Sequence, residues 1–189
     1  MSSFDDIPII EKDDYRYFVH PLSDGIPFIE PGILKRTSKK VTEIIFEIGG
    51  CDLILTAESM GIPIASAVSL DSEIPFSIAR KRKYGLEGEV EIVQLTGYST
   101  SDLYLDLPAE GGEMVIVDDV LSTGGTLKAL AKGVDSTPWN IKGAIILFNK
   151  MGEDRFELSR ELSFPILSIL DVEMGEKGCS VYPSTEKKR

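Results

Sequence analysis

One continuous segment, residues 114–134, constrains the fold more than any other part of the chain. It opens with an apolar run, residues 114–117, that has the length and β-branching of a buried strand. Two adjacent carboxylates, Asp118 and Asp119, come next, followed by a Ser-Thr-Gly-Gly-Thr turn and a helical pattern over residues 127–134. In an open α/β sheet, ligands bind at the carboxyl ends of the strands. The segment therefore predicts an α/β fold with a ligand site at this point.

The turn after the acid pair carries groups that can bind a phosphate. Gly124 and Gly125 allow the backbone to point successive N–H groups at one anion, and the following helix adds its positive dipole end. Three hydroxyls in the turn can also donate hydrogen bonds: Ser122, Thr123 and Thr126. The two carboxylates repel a phosphate, so they suit sugar hydroxyls or a hydrated Mg²⁺ on a second phosphate group. A ligand with a sugar phosphate at one end and a metal-bound diphosphate at the other would use both parts.

Two common nucleotide-binding motifs are excluded here. The turn lacks the Gly-Lys-Ser/Thr ending of a Walker loop and the Gly-x-Gly-x-x-Gly pattern of a dinucleotide site. An ordinary βα-turn with a capping Ser or Thr and an exposed acid pair is the alternative. The combination of strand, acid pair, glycine turn and helix favours the phosphate site.

Strand-like and helix-like patterns alternate along the rest of the chain. Helices are predicted at residues 31–48 and 62–70, and further strands at residues 52–57, 75–79, 142–148 and 165–170. Residues 90–95 and 103–105 are predicted to form an antiparallel pair that acts as a flexible flap. The alternation predicts a doubly wound parallel sheet in a single domain over residues 1–189, with a frayed tail at residues 184–189.

Composition narrows the functional classes. The 189 residues are 42% hydrophobic and carry a net charge of −11, which argues against general nucleic-acid binding. There is neither an apolar run of membrane-spanning length nor a signal peptide. Cys51 and Cys179 lack metal-ligand spacing and are expected to be reduced thiols, with Cys51 in the core. These features predict a cytoplasmic protein that binds neither membranes nor nucleic acids.

Residues 115–126 resemble the phosphoribosyl pyrophosphate (PRPP) signature of type I phosphoribosyltransferases. The resemblance implies that Asp118 and Asp119 contact the ribose hydroxyls. It also implies that the 5-phosphate is held by Ser122, Thr123, Gly124, Gly125 and Thr126. Mg²⁺ is then the expected cofactor, carried by PRPP without a direct protein ligand. A homodimer is expected from the family resemblance alone.

Two further segments match the pyrophosphate-binding parts of that family. The loop after the second strand-like run contains Glu58, Ser59, Met60 and Gly61, where adenine-specific relatives usually have Asp-Ser-Arg-Gly. A plain βα-loop is the alternative for this segment.

A cationic run follows the strand at residues 75–79. From it, Arg80, Lys81 and Lys83 are predicted to stabilise the leaving pyrophosphate. A solvated charged face is the alternative for each of these residues.

The purine is expected to lie between two other segments. Residues 1–35 resemble the hood that covers the base in the adenine-type subfamily, with Phe28 as its aromatic wall. Lys150, at the end of a predicted strand, could donate a hydrogen bond to the 6-oxo group of a purine, with a surface lysine as the alternative. The lone histidine, His20, is assigned no catalytic role.

Two departures from the family bear on the base. Adenine-specific relatives carry a catalytic glutamate in a Leu-Glu-Tyr-Gly run, whereas residues 96–99 here read Thr-Gly-Tyr-Ser. Human-type hypoxanthine/guanine enzymes use an aspartate as base for the purine N7, where this chain has Ser122. The overall resemblance is to archaeal hypoxanthine/guanine phosphoribosyltransferases of adenine-type architecture. Hypoxanthine/guanine salvage is therefore the leading hypothesis, with adenine or xanthine specificity, or a non-catalytic PRPP- or nucleotide-sensing regulator, as alternatives.

Overall fold

A six-stranded sheet forms the centre of the protein. The computed structural model describes residues 9–12, 15–95, 100–175 and 179–184. The strands of the main sheet are β3 (Leu53–Ala57), β4 (Phe76–Ala79), β7 (Gly112–Leu121), β8 (Trp139–Asn149), β9 (Ile166–Met174) and β10 (Cys179–Pro183). Their order is β10-β9-β8-β7-β3-β4, and every neighbouring pair is parallel except β9 with β10. The predicted parallel sheet is confirmed.

Helices cover both faces of this sheet. The helices are α1 (Pro21–Asp24), α2 (Pro31–Glu47), α3 (Gly61–Ser72), α4 (Gly125–Val134) and α5 (Arg155–Leu162), with a 3₁₀ turn at Gly152–Asp154. Side chains of β7 alternate between the two cores, because successive residues of a strand point to opposite faces. Met114 and Ile116 pack with α4 and α5, whereas Val115 and Val117 pack with α2 and α3. The doubly wound α/β fold is therefore confirmed.

Two small antiparallel pairs flank the sheet. One pair consists of β1 (Ile9–Lys12) and β2 (Tyr15–Phe18), and the other of β5 (Val90–Leu95) and β6 (Thr100–Leu105). The second pair confirms the strand pairing predicted for the flap; its mobility stays a prediction. It joins the edge of the main sheet, since the backbones of Arg80 and Tyr104 exchange hydrogen bonds of 2.9 and 2.7 Å.

The strand that carries the acid pair is longer than predicted. It was expected to end at Val117, but β7 continues to Leu121. The reason is tertiary: β8 runs beside it as far as Asn149, so the backbone of both aspartates stays in the ladder. Asp118 and Asp119 therefore lie on the strand itself, and only the Ser-Thr-Gly turn is a loop.

Five helices and strands were not predicted: β1, β2, β10, α1 and α5. Helix α5 buries only Arg155 and Leu158, so its apolar periodicity is weak. Strand β9 extends beyond the predicted residue 170 because β10 pairs with its second half.

The sequence also makes predictions about the C-terminal tail and the two cysteines. In the predicted tail, the Ser184 N–H donates to the Ile169 carbonyl (3.0 Å), and residues 185–189 lie outside the described residues. Cys179 is buried, but Cys51, predicted for the core, is only half-buried at its edge; burial raises the pKa of the Cys51 thiol to about 11. Within the described ranges, the structure contains no helix that is both long and apolar enough to span a membrane.

Candidate active site

The predicted site residues gather at one edge of the sheet. Strands β3, β4, β7 and β8 are parallel neighbours, so their carboxyl ends meet there. The segments that follow these strands start at Glu58, Arg80, Ser122 and Lys150. The sequence placed candidate ligand groups in these four segments, and the topology brings them to a common edge.

The acid pair is held away from water. Asp118 is only 7% exposed, and its Oδ1 accepts a hydrogen bond from the Asp119 N–H (3.0 Å). Burial and then the negative charge of Asp119 raise the pKa of Asp118 well above its ordinary value, and burial also raises the pKa of Asp119. Two adjacent carboxylates in this environment favour hydrogen-bond donors or a cation as ligands.

Asp118 approaches the first turn of α3 where glycine leaves room. A Cβ on Gly61 would overlap the Thr56 hydroxyl and lie 2.7 Å from Asp118 Oδ1. The Thr56 side chain is fully buried, and its hydroxyl has no hydrogen-bond partner among the described residues. Glycine at position 61 is thus needed for the close approach of β3, β7 and α3.

The predicted pyrophosphate loop is tied to the cationic segment. The Glu58 N–H donates to the Ala79 carbonyl (3.0 Å), and its carboxylate accepts from the Lys81 N–H (2.9 Å). The Glu58 side chain therefore joins the loops after β3 and β4, and any anion contact of this loop falls to its backbone and to Ser59. The Met60 side chain extends toward the hood: its Cε lies 3.7 Å from the point where a Cβ on Gly25 would stand.

Arg80 is held by a buried carboxylate that was not identified from the sequence. Arg80 Nη2 lies 3.1 Å from Glu89 Oε1, and the Glu89 side chain is 3% exposed. Burial alone would raise the pKa of Glu89, but the N–H groups of Tyr84 and Gly85, together with Arg80, outweigh it and lower that pKa. Arg80 thus closes the loop over residues 80–89.

The other cations of the run differ in their partners. Lys83 Nζ pairs with Glu91 at 2.8 Å, and the Arg82 guanidinium lies 5.3 Å from the Tyr84 ring centroid. Lys81 is exposed, and its ammonium makes no hydrogen bond or ion pair within the part of the chain that the structure describes. Of the three cations predicted for pyrophosphate, Lys81 is the one without a competing carboxylate.

The turn before α4 has the geometry of an anion site. Gly124 adopts a left-handed conformation (φ 77°), and a Cβ there would lie 2.5 Å from Leu158 Cδ2, so both conformation and space require glycine. The residue before α4, Gly124, has no side chain to cap the helix, and the Gly125 N–H makes only a long hydrogen bond to Thr123 Oγ1 (3.4 Å); the first turn of α4 contains no acidic residue. Ser122, Thr123 and Thr126 lie in or beside this turn, with Thr123 exposed.

The two predicted base contacts lie on different elements. The Lys150 N–H donates to the Leu121 carbonyl (2.8 Å), which places Lys150 beside the end of β7. Phe28, in the hood, is 62% exposed.

His20 has a structural role at the hood. Its Nδ1 accepts from the Leu22 N–H (3.1 Å) and caps α1, and its ring packs edge-on against Phe148 with centroids 4.9 Å apart. Burial lowers the pKa of His20, and Asp24 partly opposes that effect.

Sequence analysis did not identify three residues of the site: Thr56, Glu89 and Asn149. Asn149 interrupts an apolar run directly before Lys150, so it carried a readable signal. Glu89 had none, because nothing local distinguishes it from Glu87. The run at residues 96–99, which lacks the adenine-type glutamate, lies outside the described residues.

Known proteins resemble this chain in sequence and in fold. Residues 30–157 match the phosphoribosyl transferase domain family. Hypoxanthine/guanine phosphoribosyltransferase of Methanosarcina mazei is 42% identical over 174 residues, 92% of this chain and 90% of the relative. The protein of that name from Methanococcus vannielii is 40% identical over 92% of each chain. An adenine phosphoribosyltransferase structure from Thermoanaerobacter pseudethanolicus superposes with a TM-score of 0.70 at 24% identity, covering 87% of this chain and 95% of that one.

Replacing Asp118 by Asn should stabilise the ligand-free protein at pH 7. The raised pKa means that folding penalises the ionised carboxylate, so stability falls as pH rises from about 4, the unfolded pKa, through the folded pKa. An amide avoids this cost and can still accept from the Asp119 N–H. We expect Asp118→Asn to raise Tm at pH 7 by about 3 °C or more, with a smaller gain below about pH 4.

The control for this charge change is Asp71→Asn, at an exposed position of α3. It removes the same formal charge, so any general relief of the net negative charge appears in both variants. A lower Tm for Asp118→Asn than for Asp71→Asn at pH 7 would contradict the burial penalty.

Replacing Gly61 by Ala should destabilise the fold by about 2 kcal/mol, because the new Cβ overlaps the Thr56 hydroxyl. Adding Thr56→Ala should recover part of the loss, which denaturant unfolding of both single variants and the double variant measures. Gly32→Ala, also near a helix start but with only Arg36 Nη1 at 3.5 Å, is the matched control and should be neutral or slightly stabilising. Strictly additive effects at positions 56 and 61 would refute the proposed overlap.

Proposed function

Because this chain belongs to the phosphoribosyltransferase family, we propose that it transfers the phosphoribosyl group of PRPP to hypoxanthine and guanine, with release of pyrophosphate. The observation that carries this proposal is that strand β7 joins an acid pair, buried at Asp118 and half-buried at Asp119, to a glycine turn and the start of helix α4. The named relatives, at about 40% identity over most of both chains, support the choice of base.

The two halves of the β7 segment divide PRPP between them. Asp118 and Asp119 accept hydrogen bonds from the ribose hydroxyls, and their charge offsets the positive charge that develops on the ribose as the glycosidic bond breaks. The turn over residues 122–126 and the first N–H groups of α4 hold the 5-phosphate. Since both groups are anchored to one strand, the sugar is fixed in register with the site.

The acid pair also suits the Mg²⁺ that PRPP carries. Carboxylate oxygens are hard ligands, and the raised pKa of both aspartates shows that a nearby positive charge would be favourable there. No group of three or more His, Cys, Asp or Glu side chains among the described residues could hold a metal ion by itself. Asp118 and Asp119 are the residues that would hold the ion, together with the phosphates of PRPP, and the ion would supply positive charge to stabilise the leaving diphosphate.

The leaving pyrophosphate is assigned to the loops after β3 and β4. The backbone of residues 58–61 and the Lys81 ammonium are the first contacts, because no carboxylate among the described residues pairs with Lys81. Arg80 and Lys83 would have to share their charge with Glu89 and Glu91. Their contribution to pyrophosphate binding is therefore smaller than that of Lys81.

The purine is assigned to the end of β8 and the hood. The Lys150 ammonium donates to the 6-oxo group of hypoxanthine or guanine, a contact that adenine cannot accept. Phe28 supplies an apolar wall for the ring. No described residue is assigned as general base, since Ser122 stands where human-type enzymes have an aspartate.

Family likeness further supports a single phosphoribosyltransferase domain, a homodimer and a cytoplasmic location.

The proposed reaction is tested by mixing the protein with Mg²⁺, PRPP and each purine base in turn. We expect nucleotide and pyrophosphate from hypoxanthine and guanine and little from adenine. PRPP binding without turnover of any base would refute the enzymatic proposal, and turnover of adenine alone would refute the choice of base.

Lys150→Ala should raise the KM for hypoxanthine by about ten-fold, since one charge-assisted hydrogen bond to the base is lost. An unchanged KM for hypoxanthine would contradict the role of Lys150.

Lys81→Ala should lower kcat/KM for PRPP by at least ten-fold, because the negative charge that develops on the leaving pyrophosphate is no longer stabilised by the Lys81 ammonium. Arg82→Ala is the matched control: it removes an adjacent exposed cation that lies against the Tyr84 ring. Steady-state kinetics at constant ionic strength compares the two variants. Equal losses would indicate a general effect of surface charge and would contradict the specific role of Lys81.

A further inference from the structure

Asn149 is a fully buried amide at the last position of β8, directly before Lys150. All six residues before it, 143–148, are apolar residues or glycine, and all six are buried. A buried amide without partners is costly, so its hydrogen bonds show what it is held against.

Both ends of the Asn149 amide hold the turn that follows the strand. Its Oδ1 accepts from the Met151 N–H (3.0 Å), and its Nδ2 donates to the Gly152 carbonyl (3.0 Å). These two bonds close residues 149–152 into one turn. Lys150, inside this turn, is also fixed by its own N–H, which donates to the Leu121 carbonyl.

A chain of polar residues, of which Arg155 is buried and Ser168 and Asp171 are half-buried, fixes Asn149 itself. Its Nδ2 also donates to Asp171 Oδ1 (2.7 Å), and the same oxygen accepts from the Ser168 hydroxyl (3.2 Å). The Ser168 hydroxyl in turn accepts from Arg155 Nη1 (2.6 Å), and Arg155, only 2% exposed, is the first residue of α5. The network therefore anchors both ends of the segment 149–155 to β9.

We propose that Asn149 is a positioning residue for the purine site, which sets where the Lys150 ammonium stands and thereby the preference for 6-oxopurines. This inference rests on the proposed function, because it takes Lys150 as the base contact. An amide is required since one side chain must accept from an N–H and donate to a carbonyl and a carboxylate. Displacement of a substrate-orienting group by about 1 Å can cost a hundred-fold in rate.

The test is the substitution Asn149→Asp, which keeps the side-chain volume. It places a carboxylate against Asp171 and removes the bond to Gly152. We expect the KM for hypoxanthine to rise about ten-fold or more while the KM for PRPP stays within about two-fold. In hydrogen exchange of the ligand-free protein, the Met151 amide should exchange faster, because loss of the bond to the Gly152 carbonyl opens the turn that holds it.

Rescue separates positioning from general damage. Adding Asp171→Asn to Asn149→Asp restores an amide–carboxylate pair with the roles reversed, so the KM for hypoxanthine should move back toward the native value. Ser159→Ala is the matched control: it removes a side-chain hydrogen bond of α5 to the Phe164 carbonyl (2.7 Å), at the other end of that helix, and should leave both KM values unchanged. If Asn149→Asp does not fold, Asn149→Ser serves in its place.

Two outcomes would overturn the inference: an unchanged KM for hypoxanthine with unchanged amide exchange, or an equal rise in both KM values without rescue by Asp171→Asn. Failure of the proposed function shows differently, as absence of turnover of any purine by the native protein. The exchange measurement on residues 149–154 still reports the network in that case.

Discussion

The parallel pairing of β7 with β8 is the constraint on which the site depends. It continues past the apolar core to Leu121 and Asn149, so two strand ends carry polar groups side by side. On β7 these groups are Asp118 and Asp119, and on β8 they are Asn149 and then Lys150. Because the ladder fixes the separation of the two strands, the groups that we propose to bind the sugar and the base are held at a set distance from each other.

Charge at this edge is arranged so that the ligand completes it. Asp118 is buried and Asp119 half-buried, and this burial raises the pKa of both carboxyl groups. Two of the four cations after β4 instead pair with carboxylates of the protein: Arg80 with Glu89 and Lys83 with Glu91. The result is an acid pair that gains from a metal-carrying substrate, next to a loop whose shape is fixed by internal ion pairs.

The sequence was sufficient where local patterns and tertiary structure agree. The order of strands and helices around residues 114–134 followed from apolar runs bounded by glycine, and the acid pair and phosphate turn were legible as chemistry. It was insufficient where pairing partners decide: β7 extends through two aspartates only because β8 lies beside it, and β10 was not predicted. The roles of Arg80 and Glu89 depend on a nine-residue loop closure that no local pattern reveals.

The separation of the two strands also explains why the choice of base is not written in the PRPP segment. In the proposed assignment, the polar groups at the end of β7 contact only ribose and phosphate, which are the same in every product nucleotide. Discrimination must come from groups on β8 and the hood, where a lysine is useful only if its backbone is rigid. The network from Arg155 through Ser168 and Asp171 to Asn149 supplies that rigidity from β9 and α5. Base preference can therefore change by substitutions there while the acid pair and phosphate turn stay as they are.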